Sequence, residues 1–125
     1  LTEHLAYEGG VVICLESSLK EAPTRLMSET LEPTIAWDIP KDKIEELALK
    51  DAEIGVWYRK LFEASLIESQ VKADTLRFEP AHERYNKLLQ LHPEILKRAP
   101  LVYIASLLQM TPETLSRVRS ASLNG

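Results

Sequence analysis

The sequence has almost no cysteine and no long apolar run, and both absences narrow the class of protein. Its 125 residues include one cysteine, Cys14, which excludes an internal disulfide and is too few for an iron–sulfur centre. No apolar stretch approaches the roughly 18–20 residues that a membrane-spanning helix needs. The opening residues, LTEHLAYEGG, lack the basic flank and apolar core of a signal peptide. We therefore expect a cytoplasmic protein with no membrane partner.

Recognisable catalytic and metal-binding patterns are missing as well. The three histidines, His4, His82 and His92, stand apart and show no metal-ligand spacing. There is no glycine-rich phosphate loop, no nucleophile elbow and no pair of carboxylates in a catalytic arrangement. The sequence thus predicts no catalytic residue, no metal and no cofactor, and we expect a protein that is not an enzyme.

Charge is distributed unevenly along the chain. The formal net charge is −4, yet the residues from Glu79 onward include six basic and four acidic side chains. That segment is therefore mildly basic, at +2, while the residues before it carry −6. A basic C-terminal module permits nucleic-acid binding without requiring it, because scattered surface charge gives the same count.

The first third of the chain has the alternation typical of short strands. The runs EHLAY and VVICL are separated by EGG, whose glycines suit a tight turn, and TRLMSETL and TIAWDI follow. We predict an antiparallel β unit over about residues 3–39, and therefore an α+β fold. Two or three strands make a poor free-standing core, and the chain opens on Leu1 in strand-like sequence. We expect a piece of a longer protein.

Helical periodicity dominates the middle of the chain. A short helix is predicted after Pro40, followed by one long helix from Ala52 to about Arg77, where apolar residues recur at spacings of three and four without a proline. This heptad-like stripe predicts a dimer interface, and a single broad core face is the alternative. The interface residues predicted are Trp57, Leu61, Ala64 and Val71.

Two short helices joined by a tight turn are predicted near the C-terminus. Pro100 suits a helix start before LVYIASLL, and a second helix begins at Pro112 after the N-cap residue Thr111. The roughly three residues between them give the spacing of a helix-turn-helix motif. The turn often holds glycine, so Gln109 costs on the order of 1 kcal/mol if it adopts a left-handed conformation. A generic helical hairpin is the alternative.

The second of these helices presents side chains that suit DNA. Leu115 and Val118 are placed to point inward, which leaves short hydroxyls, a glutamate and an arginine outside. Arginine can form paired hydrogen bonds with guanine in the major groove, and glutamate can accept from cytosine. Threonine and serine reach phosphates or bases, and phosphate contacts supply most of the affinity. The outward residues are Glu113, Thr114, Ser116 and Arg117.

The stretch ERYNKLLQLHPEILKRAPLVYIASLLQMTPETLSRVR, residues 83–119, resembles the DNA-binding end of CRP/FNR-type transcription regulators, in particular a subgroup common in Bacteroidetes. Upstream residues are more weakly similar to the second half of that family's cyclic-nucleotide-binding-type β-roll and to its dimerisation helix. The resemblance implies a partial β-roll effector domain at 1–50, a dimerisation helix at 51–78 and a winged-helix-like helix-turn-helix DNA-binding domain at 79–125.

The same resemblance implies a homodimer that binds a roughly palindromic operator in double-stranded DNA, with RNA polymerase as a further partner. The short segment between Pro93 and Pro100 leaves little room for the β-hairpin wing of many members. The positions that would contact DNA are Glu113 and Arg117 at bases, Thr111, Thr114 and Ser116 at phosphates, and Arg119 at the backbone on grounds of its charge.

The residue pairs that bind the effector in this family are absent from the chain. Cyclic-nucleotide binders of this family present a Gly-Glu pair and an Arg-Ser pair, where this chain has Ile13-Cys14 and Thr24-Arg25. An apolar pair cannot bond a ribose hydroxyl, so cyclic AMP binding is not expected. Arg25 is the one ligand-binding candidate, for an anion, and a plain surface arginine is the alternative.

The leading hypothesis is a dimeric DNA-binding regulator with an altered effector pocket. The rival hypothesis is a ligand-sensing or protein-interaction module that has lost DNA binding.

Overall fold

Seven helices form the regular structure of the chain in a computed structural model, which describes residues 1–124 and side chains up to Leu123. No strand occurs within these residues. The helices are α1 (Leu15–Lys20), α2 (Lys41–Lys50), α3 (Ala52–Phe78), α4 (Ala81–Leu91), α5 (Pro93–Arg98), α6 (Leu101–Leu107) and α7 (Pro112–Asn124).

Proline sets most of the helix starts. Pro40, Pro80 and Pro100 are each the residue immediately before the first residue of a helix. Pro93 and Pro112 are themselves the first residues of α5 and α7, where the missing N–H would have had no partner inside the helix. The boundaries of the C-terminal helices therefore follow closely from the sequence.

The predicted α+β fold is wrong, and with it the β-roll, the cyclic nucleotide-binding-like domain and any wing. The segment TIAWDI takes no strand partner within the described residues, and Ile35 and Trp37 remain 99 % and 94 % exposed. The run VVICL passes into α1 at Leu15, and the place of a wing is occupied by α5. Alternation predicts a strand only where neighbouring strands satisfy its N–H and C=O groups, and these segments lack such neighbours in the described chain.

The long helix of the sequence prediction is present as α3, which runs over 27 residues from Ala52 to Phe78. Asp51 caps its start, because its Oδ1 accepts the N–H groups of Glu53 at 2.9 Å and Ile54 at 3.3 Å. Within residues 1–124, neither α3 nor another helix combines the length and apolar character needed to cross a membrane.

Two compact units can be distinguished, and the boundary between them falls inside α3. The middle unit, Ile13–Gln70, buries no side chain fully in α1, α2 or α3. The Tyr58 ring meets the Phe62 ring edge-on at 4.8 Å between centroids. Burial, aided by the negative charge of Glu45, raises the pKa of the Tyr58 hydroxyl. The predicted domain limits at residues 50 and 78 stay a prediction.

The other unit, called here the helix-turn-helix unit, contains Leu1–Val12 and the chain from Val71 onward. The described side chains that are buried all lie in this unit. They belong to α4, α5, α6 and α7 and to Leu108, the residue that follows α6. Helical spacing brings them to one side of each helix, so the four short helices share one small core. The buried residues are Tyr85, Leu88, Ile95, Ile104, Ala105, Leu108 and Leu115.

The N-terminal segment of this unit, Leu1–Val12, packs against its helices without forming the predicted strand. Leu5 and Tyr7 pack against its core, and the Tyr7 hydroxyl lies 2.9 Å from Nδ1 of His92. Arg98 donates two hydrogen bonds to Glu8, at 2.6 and 2.9 Å. These hydrogen bonds lower the pKa of the Glu8 carboxyl to about 2. The segment is therefore attached by side chains.

Candidate nucleic-acid interface

The turn between α6 and α7 is a left-handed helix end. Leu108 is the C-cap of α6, and Gln109, the next residue, has a φ of 52°. The N–H of Gln109 donates to the Ser106 carbonyl at 3.2 Å, and the N–H of Met110 donates to the Ala105 carbonyl at 3.0 Å. This pair of bonds is a Schellman motif, which satisfies carbonyls left open at a helix end. Gln109 thus adopts the conformation that glycine often supplies.

The second helix of the motif begins as predicted. Thr111 Oγ1 accepts the N–H of Thr114 at 3.1 Å, which is the hydrogen bond of an N-cap residue. The Thr111 carbonyl accepts the N–H of Leu115 at 2.9 Å, so the first turn is closed. The helix then continues to Asn124.

Packing fixes which side of α7 faces solvent. Leu115 of α7 and Ile104 of α6 are each 0 % exposed. Ala105, also buried, is small enough to let α7 approach α6 closely. Val118 packs against the same core, and α7 contacts both α4 and α6. The opposite side of α7 is left open.

Arg84 connects α4 to the turn. Its Nε donates to the Leu108 carbonyl at 3.0 Å, and its Nη1 donates to the Glu79 carbonyl at 2.8 Å. Leu108 is the C-cap of α6, so its carbonyl has no N–H partner within the helix and is open to a donor from elsewhere. A cation at the C-terminal end of α6 also complements the helix dipole. Arg84 therefore helps to hold the angle between the two helices.

The six residues predicted to contact DNA all lie on α7 or at its cap. At about 100° per residue, Glu113 and Arg117 lie opposite Leu115, and Ser116 lies about 100° from it. Arg119 lies only about 40° from Leu115, so it is on a different side of the helix from Arg117. Thr114 is half-buried, next to Glu113 in the chain. The residues with exposed side chains are Thr111, Glu113, Ser116, Arg117 and Arg119.

Most basic side chains of the C-terminal segment are already occupied. Lys87 pairs with Glu79, Lys97 with Glu94 at 3.6 Å, and Arg98 with Glu8, while Arg84 is bound to two carbonyls. Arg117 and Arg119 are the two with neither a carboxylate nor a backbone carbonyl as partner in the described chain. Uncompensated positive charge in this segment is therefore concentrated on α7.

A shallow groove, which could not be predicted from the sequence, runs between α4 and α7. It is lined by His82 of α4 and by Thr114, Arg117, Val118 and Ala121 of α7. His82 looks isolated in the sequence because its neighbours in the groove are 32 to 39 residues away in the chain. Arg84 was missed for the same reason: its partner carbonyl at Leu108 lies on another helix.

The effector candidate lies outside any described cavity. Arg25 is exposed in the segment that follows α1. Its neighbour Thr24 accepts a hydrogen bond from Cys14 Sγ at 3.6 Å, so two of the four family effector positions do meet. Within the described residues, no group of histidine, cysteine and acidic side chains could hold a metal ion.

The predicted dimer residues lie on α3 with differing exposure. Trp57 and Val71 are 47 % and 50 % exposed, Ala64 is exposed, and Leu61 is half-buried. Ile67 adds further exposed apolar surface between them. The helix therefore keeps an apolar side that its own chain does not cover.

Comparisons with protein-family models, with curated proteins and with solved structures gave no match to this chain.

Replacing Gln109 by glycine should stabilise the helix-turn-helix unit by about 1 kcal/mol, because glycine adopts a positive φ without the steric cost of a Cβ atom. Hydrogen exchange of the Leu115 amide reports the opening free energy of this unit. Gln90→Gly is the control: it removes the same side chain from the last turn of α4, a right-handed helix, and should destabilise. Destabilisation by both variants would contradict the assignment of the turn.

Replacing Arg84 by methionine should lower the same opening free energy by about 1–3 kcal/mol, because two charge-assisted hydrogen bonds to backbone carbonyls are lost. Arg119→Met is the matched control, since that exposed side chain has no partner in the described chain and its loss should cost less than about 0.5 kcal/mol. Equal costs for the two variants would show that Arg84 does not support the turn.

Proposed function

We propose that this chain is the DNA-binding part of a sequence-specific transcription regulator of CRP/FNR type, which binds a palindromic operator as a homodimer. The observation that carries the proposal is the side of α7 opposite Leu115, where Arg117 is exposed and has no carboxylate partner among the described residues. Arg119 is also exposed and without such a partner, and it lies farther round the helix. A cytoplasmic location belongs to the same proposal, because a bacterial operator and RNA polymerase are found there.

The geometry of α7 supports reading of the major groove. The helix is anchored through Leu115 and begins at a capped N-terminus, so the residues of its first two turns have fixed positions. Arg117 and Glu113 in these turns have the functional groups that recognise guanine and cytosine. Their neighbours Thr111 and Ser116 are short and exposed, which suits contacts with the flanking phosphates.

A small core suits this role. Recognition helices are held by a few buried side chains while their polar side enters the groove. Here α4 and α6 support α7 from one side, and Arg84 fixes the turn before it. Palindromic operators are bound by two copies of such a unit, which requires an interface elsewhere in the chain. The exposed apolar side of α3 supplies a candidate for that interface.

Replacing Arg117 by alanine should reduce discrimination at one base pair of each half-site by about 1–3 kcal/mol, because the paired hydrogen bonds to guanine are lost. Replacing Arg119 by alanine should instead weaken binding to all sequences alike. The slope of log affinity against log salt concentration should fall in magnitude by about one, because one fewer counterion is released on binding. Fluorescence anisotropy with an operator selected from random DNA, measured over a range of salt concentrations, tests both variants.

Two results would contradict the proposal. One is equal binding of specific and random DNA by the unaltered protein. The other is a flat response of affinity to salt, because a protein that contacts phosphates releases counterions when it binds. Either result would favour a protein-interaction module of the same helical architecture.

Replacing Val71 by arginine should convert the dimer into a monomer at micromolar concentration, because two copies of the buried charge would meet in the interface. Ala73→Arg adds the same charge to an exposed position about 200° around α3, and should leave the dimer intact. Light scattering gives the mass of each variant against the 14.2 kDa of one chain. A monomeric unaltered protein would exclude α3 as the interface.

A further inference from the structure

Glu113 and Arg117 do not form the ion pair that their spacing favours. A glutamate four residues before a basic residue is the preferred orientation for such a pair on a helix. The same chain forms this pair at Glu16–Lys20 and Glu46–Lys50, at 2.9 and 2.8 Å. On α7 the Glu113 carboxylate has no partner among the described residues. A local feature of α7 must therefore direct the guanidinium elsewhere.

That feature is the hydroxyl of Thr114. Arg117 Nη2 donates to Thr114 Oγ1 at 3.2 Å, and Thr111 Oγ1 donates to the same oxygen at 3.0 Å. The N–H of Thr114 donates back to Thr111 Oγ1 at 3.1 Å. The two threonines and the arginine thus form one connected hydrogen-bond network at the start of the helix.

Thr114 is well suited to act as a fixed point. Its side chain is half-buried at the edge of the groove between α4 and α7, whereas Glu113 and Arg117 are exposed. Threonine in a helix divides between two χ1 rotamers, and the hydrogen bond from Thr111 Oγ1 at 3.0 Å favours the one observed here. Two donors already point at that oxygen, which leaves its own proton free for an outside acceptor such as a phosphate oxygen.

We propose that Thr114 is a positioning residue that holds the Arg117 guanidinium away from Glu113, so that the arginine and the carboxylate are both available to read base edges. This role rests on the proposed function of α7 in DNA recognition. A guanidinium paired with Glu113 would have to break that ion pair before it could bind guanine, and the carboxylate could not accept from cytosine at the same time. Thr114 thus sets specificity through another side chain.

Three variants test the role. Thr114→Val removes the hydroxyl, keeps the shape and leaves the capped backbone N–H in place. It should lower discrimination at the base pair read by Arg117 by about tenfold while leaving the salt dependence unchanged, since no charge is altered. Thr114→Ser keeps the hydroxyl and should restore discrimination to within about twofold of the unaltered protein. Adding Glu113→Gln to Thr114→Val should recover the discrimination at that base pair, because the competing carboxylate is gone.

A second measurement uses the free protein and needs no DNA. Nuclear Overhauser contacts from the Arg117 guanidinium protons should reach residue 114 in the unaltered protein and in Thr114→Ser, and should shift to Glu113 in Thr114→Val. Guanidinium contacts with Glu113 in the unaltered protein would overturn the positioning role and leave the proposed function standing.

The binding data separate the remaining outcomes. Equal loss in Thr114→Val and Thr114→Ser, or no recovery on adding Glu113→Gln, would overturn the role, because the loss would then come from the helix in general. An unaltered protein that binds no DNA sequence specifically would overturn the proposed function and this role together.

Discussion

The left-handed turn at Gln109 is the constraint on which the rest of the helix-turn-helix unit depends. It ends α6 with a Schellman motif and redirects the chain so that Thr111 can cap α7 four residues before Leu115 enters the core. A right-handed residue at this position would continue α6 and carry Leu115 away from Ile104. The conformation costs on the order of 1 kcal/mol for a residue with a Cβ atom, which the two turn hydrogen bonds and the burial of Leu115 offset.

Charge pairing gives the same helix its distinct chemistry. The chain is acidic as a whole, yet its acidic residues neutralise Lys87, Lys97 and Arg98 and leave Arg117 and Arg119 without carboxylate partners. A net charge of −4 therefore does not describe the surface that α7 presents. Local pairing decides which cations can meet phosphate, and within α7 the Thr114 hydroxyl takes the place of the carboxylate that Arg117 would otherwise bind.

The sequence was a good guide where the signal is local and a poor one where it depends on partners. Pro112 and Thr111 act within a few residues of their own positions, and Leu115 and Val118 share one side of α7, so the helix-turn-helix and the side of α7 that faces solvent could be predicted. The strands could not be judged in this way, because Trp37 and its neighbours show alternation whether or not a second strand is present. Arg84 could not be found either, since its acceptor on Leu108 is brought near only by folding.

The central claim is that α7 reads DNA sequence in two symmetric copies. Selection of bound fragments from a pool of random double-stranded DNA by the unaltered protein tests it most directly. The account predicts enrichment of a two-fold symmetric site, with a G·C pair at corresponding positions of both half-sites and half-site centres about 34–36 Å apart. Failure to enrich a sequence, or enrichment of a single asymmetric site, would contradict it.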